Sequence, residues 1–246
     1  MDYRGIADDF FVNLDIRTTL GLPRGRESVL HFFEALQRDF PSMTGFFERE
    51  TGEYVLEGDR SSGCYRWLEL MRNNLAAGYF NPPELDNAYE LHRWLLDRSV
   101  YYLGLSGLDI ECLDVLYGFN LDYSGNRDAI VADAVLGGSP LSAVAGDESV
   151  RCVECEPSVV VALDEGCYCQ ARVHLETRSS SYQVRTGEYS DEPISVYLTV
   201  RQYPRPGETF DAKAAFARQC ELCEDMAAMH LIPNVVQPIS AAIASA

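Results

Sequence analysis

Strand-like alternation and helical spacing follow one another in blocks along this 246-residue chain, and that order narrows the fold more than any motif does. Residues 10–17 alternate, with Val12, Leu14 and Ile16 on one side, the pattern of a half-buried strand. After Pro23 and Gly25, Val29, Phe33, Leu36 and Phe40 recur at helical spacing until Pro41, which ends the pattern. Short strands follow over residues 45–57, 64–71 and 75–80, punctuated by Gly and Asn as hairpin connections are. Pro82-Pro83 opens a second helix over residues 84–98.

The order then recurs. A strand over 113–123 is followed by a helix over 127–136 that Gly137-Gly138 stops. Strands over 149–163, 167–178 and 194–203 come next, then a helix over 211–230 closed by Pro233. Strands grouped in blocks between helices predict an α+β fold: an antiparallel β-sheet with helices packed on one face and a pseudo-duplicated β-α-β(3-4)-α unit. Residues 1–246 read as a single globular domain of two similar halves, 1–105 and 106–235, with a short C-terminal tail, 236–246. The echo of Asn13-Leu14-Asp15 in Asn120-Leu121-Asp122 adds nothing, since three-residue coincidences are common; the order of elements carries the duplication. That order resembles the duplicated saddle of the TATA-binding proteins, in element order alone. None of that family's sequence motifs is present.

Thirty-eight acidic residues against twenty basic ones give a net charge of −18. Such a field repels phosphate backbones, and no run of adjacent basic residues offsets it, so a nucleic-acid partner is not expected. Lys213 is the one lysine, which leaves little room for Schiff-base or P-loop chemistry. No apolar stretch is read as long enough to span a bilayer, and the N-terminal residues lack a basic segment followed by an apolar run. A soluble, cytoplasmic protein with no membrane partner is expected.

Eight cysteines in such a chain are expected to be reduced. Cys152/Cys155 and Cys220/Cys223 are C-x-x-C pairs, the spacing of a zinc site. Neither has the turning glycine of a zinc knuckle, and small buried thiols account for both. No signature of nucleophilic, nucleotide-binding, metalloprotease or EF-hand chemistry occurs, and the expected cofactor is none.

The remaining candidates lie on one strand face. Arg172, His174 and Glu176 share a side of their strand, and Tyr197, Thr199, Arg201 and Tyr203 share a side of the next. If helices cover the opposite side, Arg172, His174, Glu176, Tyr197, Arg201 and Tyr203 make an open polar surface. Arg forks and Tyr hydroxyls suit an anionic or planar ligand, and His174 can exchange a proton. Asp15 and Asp122 are a candidate divalent-cation pair, if a pseudo-twofold axis sets the two repeated strands side by side.

Two functions stay open. The first is a non-catalytic binding or assembly module that uses the open face and the polar loop 179–192, with a protein or a small anionic ligand as partner and a homo-oligomer as a further option. The second is an enzyme or metal-dependent protein centred on Arg172, His174, Glu176 and Arg201.

Overall fold

The computed structural model describes Tyr3, residues 5–145 and residues 150–246. In chain order these form β1 (Asp9–Thr18), α1 (Arg26–Asp39), β2 (Gly45–Glu48), β3 (Tyr54–Glu57), β4 (Tyr65–Leu70), β5 (Asn74–Phe80) and α2 (Leu85–Tyr102). Then come β6 (Ile110–Leu121), α3 (Arg127–Leu136), α4 (Ser142–Ala145), β7 (Ser158–Ala162), β8 (Cys169–Glu176), α5 (Ser181–Thr186), β9 (Ile194–Gln202) and α6 (Ala212–Met226). A π-helical segment, Ala227–Val236, joins α6 to α7 (Gln237–Ser245).

Among the described residues, nine strands make one antiparallel sheet in the order β2-β3-β4-β5-β1-β6-β9-β8-β7. The first strands of the two blocks, β1 and β6, pair at its centre. From β1 one arm runs outward through β5, β4, β3 and β2; from β6 the other runs through β9, β8 and β7. The arms differ in strand number, and α4 and α5 of the second block have no counterpart in the first, so the duplication expected from the sequence is not confirmed.

Period-two alternation decides which face is buried. Val12, Leu14 and Ile16 of β1, Val196, Leu198 and Val200 of β9, and Ala171 and Leu175 of β8 point into the core. There they meet α2, which lies against β5 and β1, and α6, which lies against β6 and β9. The helices thus occupy one face, and the intervening residues of each strand face the other way. This is the α+β, antiparallel, helices-on-one-face architecture that the alternation predicts.

Three segments differ from the sequence reading. Residue 149 of the expected strand 149–163 lies outside the described residues, and of the rest only Ser158–Ala162 joins the sheet. Side chains of the α3 N-terminus capture the described residues that precede it: Asn126 Nδ2 donates to Cys152 O at 2.9 Å and Cys155 N–H donates to Asp128 Oδ1 at 2.7 Å. The expected loop 179–192 contains α5, started by a capping box between Ser180 and Gln183.

The last helix does not stop at Pro233. It passes through the π-helical segment into α7, and Ile239, in the expected tail, is buried. A proline lacks the N–H that would bond four residues back, and its ring crowds that carbonyl; the wider π turn relieves both conflicts. The run Ala212–Ser245 is therefore 34 residues long, with a mean hydropathy of 1.2 over its most apolar 18-residue window. By length and composition it could cross a membrane, which differs from the expectation of a helix closed by Pro233. Residues 227–246 carry no Asp, Glu, Lys or Arg. Phe216, Cys220, Cys223, Ala227 and Leu231 on this run are buried in the core of the sheet.

Candidate functional site

The strand register assembles two rows of side chains across the open face. In the first, Tyr65, Phe80, Phe11, Gly118, Tyr197, His174 and Ser158 stand opposite one another from β4 to β7. The rings form a stripe. Tyr65 stacks on Phe80 with centroids 5.3 Å apart, Phe80 on Phe11 at 6.0 Å, and Tyr197 on His174 at 6.3 Å. Phe11 meets Tyr197 at 6.2 Å across Gly118. A Cβ on Gly118 would come within 2.1 Å of Phe11 Cζ, so the glycine is what lets the stripe cross the sheet centre.

The second row runs Trp67, Gly78, Asn13, Leu116, Thr199, Arg172 and Val160. Here Gly78 plays the same part. A Cβ there would lie 2.2 Å from Asn13 Oδ1 and 2.6 Å from Trp67 Nε1, so the indole and the amide close over the bare backbone. Two hollows adjoin along these rows. One, of about 560 Å³, is lined by Asn13, Asp15, Trp67, Arg172, Thr199 and Arg201 among others. The other, of about 360 Å³, is lined by Phe11, Asn13, Trp67, Phe80, Arg178 and Tyr197 among others. Asn13 and Trp67 belong to both, and together the hollows make one trough across the sheet.

All six ligand-binding candidates lie on this side, five of them in two clusters and Arg172 between these. In the upper one, His174 Nε2 is 3.6 Å from Glu176 Oε1, and the imidazole side chain is 22% exposed. Arg178, which the sequence reading did not single out, donates to Glu176 Oε2 at 2.8 Å, Tyr197 Oη at 2.6 Å and Ser195 Oγ at 2.8 Å. Burial raises the Tyr197 phenol above its ordinary pKa. In the lower one, Arg201 forks onto Asp114 and its Nη1 lies 3.3 Å from Tyr203 Oη. That fork holds the Arg201 guanidinium above its ordinary pKa.

Arg172 stands between the clusters. Its Nε donates to Ser158 Oγ at 3.1 Å, and among the described residues no carboxylate pairs with it. The other cations of the face are engaged: Arg201 on Asp114, Arg178 on Glu176, and Arg17 3.6 Å from Asp15.

The proposed pairing of Asp15 with Asp122 does not occur. Antiparallel pairing of β1 with β6 sets Asp15 opposite Asp114, eight residues from Asp122, a separation of about 27 Å along a strand. Asp15 accepts from Asn74 Nδ2 at 2.8 Å, and burial, with Asp114 nearby, raises its pKa. Asp122 lies past the other end of β6, its N–H donating to Asp8 Oδ2 at 2.7 Å. Among the described residues no cluster of three or more His, Cys, Asp or Glu side chains has the geometry to hold a metal ion. The C-x-x-C thiols sit in packed surroundings: burial pushes Cys155 up to about 11 and Cys220 up to about 12, which keeps them protonated.

A larger hollow, of about 860 Å³, opens on the far side of the sheet beside the α2 N-terminus, lined by Tyr3, Asn81, Pro82, Leu85, Tyr89 and Glu224 among others. Behind it the Tyr89 hydroxyl bonds that of Tyr117 and donates to Glu224 Oε1 at 3.0 Å. The sequence reading missed this hollow, whose residues come from four separate segments with no shared pattern.

No family model matches this chain, and no curated protein matches it. Among solved structures, the crystal structure of the di-domain ARO/CYC BexL from the BE-7585A biosynthetic pathway aligns with 95% of this chain and 98% of its own, at 6% identity and a TM-score of 0.21. A likeness at that score carries no argument about fold or function.

Proposed function

We propose that this protein is a non-catalytic binding module that holds an elongated ligand in the trough of the open sheet face. The ligand is planar in its body and anionic at one end. The observation that carries this reading is Arg172, the arginine of the face whose fork meets no carboxylate among the described residues. It stands in the same cross-strand row as Trp67. A guanidinium with free N–H groups offers a bidentate seat for a carboxylate or phosphate. The Trp67 indole and the ring stripe offer faces for a planar body. A hollow of about 560 Å³ is within the range of small-molecule sites.

The test uses the two tryptophans, Trp67 and Trp94. In a Trp94→Phe protein, Trp67 is the sole indole reporter. A series of aryl carboxylates is expected to quench it saturably, their methyl esters to quench it at least tenfold more weakly, and Arg172→Ala to weaken the acids alone by a similar factor. Equal quenching by acids and esters, or none, would overturn the reading.

The position of His174 favours a second reading, an enzyme centred on Arg172, His174, Glu176 and Arg201. The imidazole is largely covered and faces a carboxylate, the setting of a general base. Mass spectrometry of a recovered ligand separates the two. A module returns the ligand unchanged; an enzyme alters it, and His174→Gln stops the alteration.

A further inference from the structure

We propose that two copies of this chain join edge to edge through β7, in an antiparallel register centred on Val160, to make one continuous sheet. The phase of β7 is set by its bonds to β8. Leu163 N–H donates to Cys169 O at 2.8 Å and Leu175 N–H donates to Pro157 O at 3.1 Å, which places residues 157, 159, 161 and 163 in the bonded set. In an antiparallel ladder the alternate residues then turn their N–H and C=O away. Those residues are Ser158, Val160 and Ala162, and among the described residues β8 is the one neighbour of β7 in the sheet.

Natural edge strands are guarded by lysine, proline, inward charge or a bulge. The segment Ser158–Ala162 has none of these. Val159, Val160 and Val161 are 60%, 56% and 44% exposed, so apolar side chains stand out on both faces of an open edge. The opposite edge differs. There β2 is four residues long and ends on Glu48, Phe46 packs on Phe33 and Tyr54, and the charged Arg49 and Glu50 follow.

The segment is complementary to itself. With a two-fold axis at Val160, Ser158 meets Ala162 of the second copy, Val160 meets Val160, and Ala162 meets Ser158. Three bonded pairs form with six hydrogen bonds, and no outward-pointing group of the strand is left over. A one-residue slip sets outward residues against inward ones, and a two-residue slip loses one pair. In the favoured register Val159 lies across from Val161 of the second copy on the helix side, and the two Val160 side chains meet on the trough side.

The same register sets Glu156 opposite Asp164 of the second copy. Both carboxylates are already engaged within their own chain. Glu156 accepts from Thr177 N–H at 2.8 Å, and Asp164 pairs with Arg205 at 3.0 Å and accepts from Tyr168 N–H at 2.8 Å. What opposes association is the long-range repulsion of two chains of net charge −18, which salt screens. Cross-strand pairs point to the same side of a sheet, so the two open faces would be coplanar, with Arg172 of each copy one strand from the seam.

Sedimentation velocity over a wide concentration range tests this. The mass is expected to rise from 27.5 kDa toward twice that value, and added salt to favour the larger species. Val160→Pro removes an outward N–H and leaves the bonds to β8 in place. It deletes two of the six hydrogen bonds and is expected to weaken the dimer about 30-fold with little change in the circular dichroism spectrum. Should that variant not fold, Val160→Lys places a charge on the same edge and is expected to give a monomer, whereas Phe46→Lys on the other edge leaves the dimer intact. Amide exchange at Ser158, Val160 and Ala162 is expected to slow as concentration rises. A monomer at every concentration and salt, or a dimer of undiminished affinity in the folded Val160 variant, would overturn the proposal.

Discussion

Arg201 and Asp114 meet as a register pair across β9 and β6, Nε to Oδ1 at 2.7 Å and Nη2 to Oδ2 at 2.5 Å. The Asp114 side chain is 7% exposed and that of Arg201 29%, so the fork neutralises a carboxylate that the sheet has nearly removed from water. Arg201→Ala strands that charge and is expected to cost about 3 kcal/mol, toward the low end for breaking a buried pair because the arginine is partly wet. Arg201→Ala with Asp114→Ala is expected to cost less than the sum of the single variants, with a coupling of about 1–2 kcal/mol. Urea unfolding of the four proteins measures it.

His92 on α2 is fully buried, its ring edge-on to Phe216. Burial holds its imidazole neutral, with a pKa lowered from 6.5 to about 3. Below pH 6.5 the unfolded chain takes up a proton that the folded chain refuses. Stability from this residue is therefore complete above pH 6.5 and falls as the pH drops toward 3, by about 1.4 kcal/mol per pH unit. A His92→Phe protein is expected to lose this acid dependence. Thermal unfolding of both proteins from pH 7 to pH 4 checks the slope.

Gly78 is the bare position under Trp67 and Asn13. Gly78→Ala is expected to lift both side chains, shift Trp67 emission to the red, and cost about 1–3 kcal/mol as an overpacked site does. Fluorescence together with denaturant unfolding reads both effects.

Arg127 is fully buried, yet its partners are carbonyls and one hydroxyl: Thr177 O at 2.6 Å, Ser190 O at 2.8 Å, Glu192 O at 3.0 Å and Ser190 Oγ at 3.3 Å. It ties both ends of the α5 segment to the start of α3. Arg127→Met leaves those carbonyls unsatisfied and is expected to cost about 3 kcal/mol or more. Trypsin should then cut at Arg185 faster than in the unaltered protein, as limited proteolysis followed by mass spectrometry would show.

How far the site could be read in advance followed the range of the interactions. The side on which His174, Tyr197 and Arg201 lie is a matter of alternation within one strand, and the register confirmed it. Which residue answers Arg201 depends on β6, some ninety positions earlier, so Asp114 could not be found by spacing. The stripe of Tyr65, Phe80, Phe11 and Tyr197 comes from four strands and has no linear signature at all. Asp15 and Asp122 erred for the same reason: a pseudo-twofold axis between the two first strands was expected to bring them together, but antiparallel pairing sets Asp15 opposite Asp114. Pro233 misled through a sound local rule, because a π turn can accommodate what an α-helix cannot.

The trough reading is tested most directly by a nuclear magnetic resonance titration of the isotopically labelled protein with an aryl carboxylate that quenches Trp67. The account predicts shifts at the Trp67 indole N–H, Gly78, Asn13, Thr199 and the Arg172 Nε–H, with the Arg172 signal unmoved by the methyl ester. Shifts centred instead on Tyr3, Leu85 and Tyr89 at the larger hollow, with the open face silent, would contradict it.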